Sequence, residues 1–206
     1  MQSTQFDRIL RRAATILSVV ILSLCLIYVS TGVLLSFYYE PTAGGAYNSL
    51  RMIDTQVSYG WLFHRAHDIA GNIMIAIALV QIVVMFLGRQ FRRSWLLAWV
   101  SGIFFTLSAI GLDWTAMILD WTQEGYWRFN IELGNIQAIP VIGTQLRDIL
   151  TGGGAISSVT VEHLYTLHSY IITFAAITFA VLHFAALMWQ ERQMYTEESI
   201  QLASEY

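Results

Sequence analysis

The sequence predicts an all-α membrane protein with four transmembrane helices. Three observations carry that expectation: the composition, four long apolar runs, and the placement of the arginines. Of 206 residues, 56% are hydrophobic and 12% charged, and mean hydropathy is +0.55. A soluble domain carries about a quarter charged residues, so this chain is built for lipid. No second soluble domain fits beside the apolar runs. A net charge of −3 without a basic patch argues against a nucleic-acid partner. The single cysteine excludes an intrachain disulfide framework and any Cys-rich zinc or iron–sulfur site.

The apolar runs cover residues 13–38, 61–87, 95–119 and 161–189. Each exceeds the roughly 20 residues that cross the hydrocarbon core as a helix. Arg11 and Arg12 precede the first run, but it is too long for a signal peptide and has no A-x-A-like site before Tyr38, so it reads as a span. Arg8, Arg11 and Arg12 lie before the first run, and Arg89, Arg92 and Arg93 crowd the short connection between the second and third. The positive-inside rule then puts the N-terminus, that connection and the C-terminus on the cytoplasmic, or n, side of a bacterial-type inner membrane or its equivalent. The connection between the first two runs and the long stretch 120–160 fall on the opposite, p, side. Connections of that length tend to be functional or to hold short interfacial helices. The expected organisation is a four-helix domain over 1–190 and a polar cytoplasmic tail over 191–206. The tail's Glu191, Glu197, Glu198 and Glu205 suit a solvated extension or a subunit contact.

A polar side chain that a membrane helix cannot satisfy is costly, so histidines inside spans need an account. His67 lies near the p-side end of the second run, and His168 and His183 lie fifteen residues apart on the fourth. At about 100° per residue, fifteen residues leave His168 and His183 about 60° apart around a helix, with a rise of about 22 Å. That rise fits two sites stacked across a bilayer better than one metal site. Zinc is a poor reading, because no carboxylate or third histidine has ligand spacing. Two readings remain: satisfied polar contacts between helices, or bis-histidine haem inside the bundle.

A flat macrocycle between helices needs positions without bulk. Ser18 and Gly32 are fourteen apart on the first run, Gly102 and Ala116 fourteen apart on the third, and His67 and Gln81 fourteen apart on the second. The repeated spacing suggests two stacked pockets, although small residues also serve ordinary helix packing in membranes. Together with the histidines it favours haem.

With these residues in view, the sequence resembles the N-terminal four-helix half of cytochrome b, above all the split form in bf-type complexes of plastids and cyanobacteria. The likeness runs from about Thr31 to Gln190. It rests on Thr31-Gly32 with Tyr38-Tyr39 and Pro41, on Tyr59-Gly60-Trp61-Leu62 ahead of His67, and on Trp121 and Gln123 before Gly125-Tyr126-Trp127. It rests further on Ala138-Ile139-Pro140-Val141-Ile142-Gly143 and on Tyr165-Thr166-Leu167-His168. The resemblance implies a four-helix haem-binding bundle with haem b on the p side between His67 and His168. It implies a second, n-side haem with His183 as one ligand, and electron passage from quinol across the membrane. Its implied partners are a C-terminal cytochrome b half or equivalent subunit, a Rieske iron–sulfur protein and a c-type cytochrome.

Four departures stand out. Gln81 occupies the place of the second histidine of the second helix, and Val84 replaces an arginine near the n-side haem. The L-P-W of the family reads Leu119-Asp120-Trp121, and the chain ends after the fourth run, without the P-E-W-Y loop of quinol oxidation. A complete quinol site is therefore expected to borrow another subunit. Gln81 leaves three readings: no n-side haem, a five-coordinate haem on His183, or weak ligation by the amide. The retained His183 with Ser18 and Gly102 favours a haem that persists, its propionates partnered by an n-side arginine such as Arg89.

Other polar residues read more plainly. His64 stands where the family has arginine and suits an interfacial or propionate contact, with Arg65 supplying the displaced charge. His163 lies five residues before His168, about 140° round a helix, and suits a structural role or a propionate contact. Cys25 is a core cysteine, and Asp113 suits a proton exit or a bond to a neighbouring subunit. The leading expectation is an electron-transfer subunit of a quinol-oxidising bc/bf-like complex, not catalytic alone. The alternative is a cytochrome b subunit linking another respiratory oxidoreductase to the quinone pool.

Overall fold

A computed structural model describes residues 5–88 and 93–204; within the final helix the side chains of 197–198 and 201–204 are not described. Arg89, Arg92 and Glu205, and the side chains of Glu197 and Glu198, lie outside what is described. Among the described residues, four helices are long and apolar enough to cross a membrane. They are α1 (Gln5–Ser36), α3 (Gly60–Gly88), α4 (Arg93–Leu119) and the fourth run, which begins as α7 (Ser158–Thr166) and continues as α8 (Thr173–Ser204). Among the described residues there is no strand. The connection between the first two spans holds α2 (Ala46–Gln56), and the long third connection holds α5 (Gln123–Gln137) and α6 (Gly143–Thr151). That connection is thus a pair of short helices, as its length suggested.

Each span shows one narrow buried stripe at helical spacing. On α3 it is Ala70, Met74, Ala78, Gln81 and Met85, while Leu79, Val80, Val83 and Phe86 point outward. On α1 it is Ala14, Ser18, Ile21, Cys25, Tyr28 and Thr31. Small and hydroxylated residues recur in these stripes because they let backbones approach where lipid offers no hydrophobic drive for packing. The outward faces carry large apolar side chains, the inverse of a water-soluble bundle.

Local chemistry sets the ends. The Thr122 hydroxyl caps α5 by accepting from Gly125 N at 3.1 Å. Gly152, at φ 72°, closes α6 in the left-handed conformation that glycine adopts without strain. The fourth run is not a uniform α-helix. Leu167–Ile172 forms a π-helical turn around His168, and the Thr173 hydroxyl donates to the His168 carbonyl at 2.6 Å. Such turns cluster at functional sites, and periodicity alone does not reveal them. α8 carries through residue 190 without a break, and Glu191, Gln193 and Met194 accept bonds from Thr15, Ser94 and Arg11.

The described residues group into two compact units. One comprises Ile27–Asn72 and Ile110–Phe174; the other comprises the described parts of 1–26, 73–109 and 175–206. The first is cored by Ile118, Phe129, Leu133, Val161 and Leu164, and the second by Ala14, Met85, Trp95, Ala98, Ala186 and Leu187. Val84 packs against this second core, where an apolar side chain is at home.

Candidate functional site

In the first unit α3 supplies His67 and the π-turn supplies His168, with ring centres 6.3 Å apart and planes at 52°. Each ring is tied by Nδ1. His67 Nδ1 donates to the Tyr28 carbonyl at 2.9 Å and to Thr31 Oγ1 at 3.2 Å. His168 Nδ1 donates to the Leu112 carbonyl at 3.1 Å and to Thr115 Oγ1 at 2.9 Å. Both threonines send their own protons to helix carbonyls, so their oxygens are left to accept. These bonds fix the tautomer that leaves Nε2 as a lone-pair donor, the form a metal-bound imidazole takes.

The spacing suits one iron between the rings. Metal–imidazole bonds run about 2.0–2.1 Å and the ring centre lies about 1.1 Å behind the nitrogen, so two rings on one metal stand about 6.3 Å apart. A cavity of about 240 Å³ opens beside them, lined among others by Gly32, Ala116, Tyr28, His64 and Asp120. A side chain at Gly32 would press within 2.9 Å of the His67 ring, which explains the glycine. The residues fit a haem here. Tyr28 is the addition that sequence reading missed. Its ring stacks on His67 with centres 4.0 Å apart, and its hydroxyl donates to His168 Nε2 at 3.2 Å. A metal held by His168 would need that lone pair, so the Tyr28 hydroxyl would give it up.

The second unit repeats the cradle in part. His183 Nδ1 donates to the Ala98 carbonyl at 2.7 Å, and a side chain at Gly102 would stand 3.0 Å from that nitrogen. Gln81 takes the facing position. Its amide donates to the Ala14 carbonyl at 3.1 Å and bonds directly to His183 Nε2. Gln81 Oε1 and Ser18 Oγ are buried without hydrogen-bond partners among the described residues. The cradle fits a haem; the amide as placed leaves no room for iron, so a haem on His183 requires Gln81 to withdraw.

The cradles share a register: a carbonyl, a hydroxyl three residues on, then a small residue. Tyr28-Thr31-Gly32 and Leu112-Thr115-Ala116 serve the first unit, and Ala98-Ser101-Gly102 the second. The fourth, Ala14-Leu17-Ser18, lacks the hydroxyl and faces Gln81 instead of histidine. A threonine or serine stands just before three of the four small residues, a legible signal of which the sequence analysis used only Thr31-Gly32.

Other predicted residues sort by position. His64 lines the cavity and pairs with Asp54 at 2.9 Å, whereas Arg65 is exposed and outside the lining. His163 donates to the Ile149 carbonyl at 3.2 Å, a structural tie between α7 and α6. Cys25 is buried and unpaired. Asp113 is exposed on α4. Asp120 and Tyr39 lie just beyond the spans. Asp120 lines the cavity, and its pKa is pushed up to about 6 by desolvation, then by the Asp68 and Asp54 carboxylates against the pull of His64. Burial and the Asp120 charge push the Tyr39 phenol up as well.

Comparison with known proteins identifies the family and the fold. Residues 8–191 match the family model described as cytochrome b/b6/petB. The chain is 34% identical to cytochrome b6 of Auxenochlorella protothecoides over 147 residues, covering 71% of this chain and 68% of that one. It is 33% identical to cytochrome b6 of Synechococcus elongatus over the same length and shares. A solved structure described as a hyperthermophilic respiratory complex III superposes with a TM-score of 0.74 at 21% identity, over 84% of this chain and 47% of that one. The chain thus spans about half the length of that structural relative, and the likeness establishes the shared fold. With two histidines poised across one cavity and the family model matched from residue 8 to residue 191, the chain belongs to the cytochrome b family, as an integral membrane electron-transfer subunit of the bc/b6f type that binds haem b.

Proposed function

We propose that His67 and His168 hold a haem b through which electrons pass between a quinol and a redox partner, and that the chain is not catalytic alone. The observation that carries this reading is the imidazole pair, 6.3 Å between ring centres, each ring anchored through Nδ1 to a carbonyl and a threonine. When bound, the haem supplies one-electron redox chemistry. His67 and His168 would ligate it, Gly32 and Ala116 would give it clearance, and Tyr28 would pack beside it.

We propose the p side for this haem, with both termini cytoplasmic, on the strength of the arginine distribution. The proposed partners are a C-terminal cytochrome b half or equivalent subunit, a Rieske iron–sulfur protein and a c-type cytochrome. We also propose a second haem b on His183, with Gln81 withdrawn and no strong sixth ligand. Its support is the Ala98–Gly102 cradle together with the unpartnered Gln81 Oε1 and Ser18 Oγ. Gln81 also favours a second reading, since an amide in place of a histidine interrupts a two-haem relay. On that reading the chain links another respiratory oxidoreductase to the quinone pool.

The test is a reduced-minus-oxidised spectrum of the purified chain with haem counted per chain, and identification of the subunits that purify with it. A low-spin b signal with Rieske and c-type partners supports the first reading. A dehydrogenase partner supports the second. A chain without haem b overturns both.

A further inference from the structure

Beyond the ligands, the cavity that holds His67 and His168 has a second chemical feature. Asp120, the residue after α4, lines the same cavity and is also exposed to solvent. Its carboxylate makes no hydrogen bond or ion pair among the described residues. The backbone holds it in place. Asp120 N donates to the Ala116 carbonyl at 3.2 Å, and the Tyr39 hydroxyl donates to the Leu119 carbonyl at 2.8 Å. Trp121 then leaves the helix at φ 47°, in the left-handed region, so the chain turns sharply just past the carboxylate.

The groups around Asp120 come from several elements. Tyr39 follows α1 and Tyr165 lies on α7. Asp54 is on α2, and His64, Arg65 and Asp68 are on α3. His64 Nδ1 is paired with Asp54 at 2.9 Å and its Nε2 lies 3.9 Å from Asp68. The one imidazole near the mouth is therefore committed to other carboxylates, and Arg65 stands outside the lining. Asp120 is left with negative neighbours, no dedicated counter-ion, and a path to water. Asp68 adjoins His67 and enters only as a neighbouring carboxylate.

We propose that Asp120 takes up a proton when the haem held by His67 and His168 is reduced, making this electron carrier proton-coupled. This rests on the haem assignment above and assigns a residue to its proton. The balance is one electron to the iron from the external reductant and one proton from solvent to the Asp120 carboxylate. An O–H bond forms, no other bond changes, and the net charge of the site is the same before and after. The physical reason is that an added electron makes the cavity more negative, and a cavity screens charge poorly, so an unpaired carboxylate there binds its proton more tightly. Desolvation and the neighbouring carboxylates already hold Asp120 near pH 6, so the coupling falls in an accessible range.

The test is a mediated spectroelectrochemical titration of the low-spin b signal from about pH 5 to about pH 9, in the whole protein as purified in detergent. A one-electron, one-proton couple falls by about 59 mV for each tenfold drop in proton concentration, and the parent chain should steepen toward that slope above about pH 6 and level off once the pH passes the carboxyl's pKa in the reduced protein. Asp120→Asn should keep the spectrum and flatten the slope to less than half. Asp120→Glu should restore it. An unchanged slope in Asp120→Asn overturns the proposal, and so does a slope removed by Asp68→Asn while Asp120→Asn retains it. A parent chain without a low-spin b signal overturns the haem assignment itself, a failure distinguishable from a haem whose potential ignores Asp120.

Discussion

Thr115 donates its hydroxyl proton to the carbonyls of Gly111 and Leu112, which leaves a lone pair on Oγ1 to accept from His168 Nδ1, 2.9 Å away. Thr31 does the same for His67 from α1. Two hydroxyls thus join the Tyr28 and Leu112 carbonyls in setting which nitrogen of each ring faces the cavity. Thr115→Val keeps the shape and removes the acceptor. The expected result is a haem held about 10–100-fold less tightly, as is usual when the group behind a metal-bound histidine is lost. The midpoint potential should rise, because a less polarised imidazole donates less charge to oxidised iron. Haem transfer to an apo-globin and a redox titration measure the two effects.

His67→Ala and His168→Ala should each remove the low-spin b signal, because each residue supplies one axial imidazole. The reduced-minus-oxidised spectrum is the measurement. A full low-spin signal in either variant would show that the pair does not share one iron.

At the second cradle the Gln81 amide sits on His183 Nε2, and an amide is a weak ligand for iron. A haem there should be at least partly high-spin and should bind carbon monoxide or cyanide, while the His67–His168 haem resists both. Gln81→His should convert the high-spin component to low-spin. One haem per chain with no high-spin signal would show that His183 and Gln81 form only a structural hydrogen bond.

Topology has its own check. A reporter fused near Arg92 should remain cytoplasmic, and one near Gly134 should be exported, because arginine-rich short connections stay inside. The reverse outcome would exchange the sides of the two cradles.

Asp120 also predicts a pH-dependent stability. Its folded pKa of about 6 exceeds the unfolded carboxyl value of about 3.9, so between those values the folded chain binds more protons than the unfolded one. Stability then falls as pH rises through that window and stays lowered above it. Asp120→Asn should melt at a higher temperature than the parent near neutral pH and lose that advantage near pH 4. Thermal melts in detergent at the two pH values check the sign.

Spans, their number and the identity of the histidines were legible in the chain, because the bilayer imposes length and apolarity on any helix that crosses it and taxes every polar exception. Gly32 was legible for the same reason: a helix that must approach another group closely shows its smallest residue there. Three things awaited the tertiary structure. The π-turn around His168 is an i→i+5 departure that leaves no periodic trace in one helix's own sequence. Tyr28 stacking on His67 and reaching His168 joins residues 39 and 140 positions apart, a meeting that only packing decides. Asp120 stands out in the sequence only as a departure from L-P-W, and its chemistry appears once α4, α2 and α3 converge, because its electrostatics belong to Asp54, His64 and Asp68 as much as to itself. Periodicity records what each helix owes to lipid, whereas the chemistry of the cavity depends on which side chains different helices bring within a few ångströms of one another.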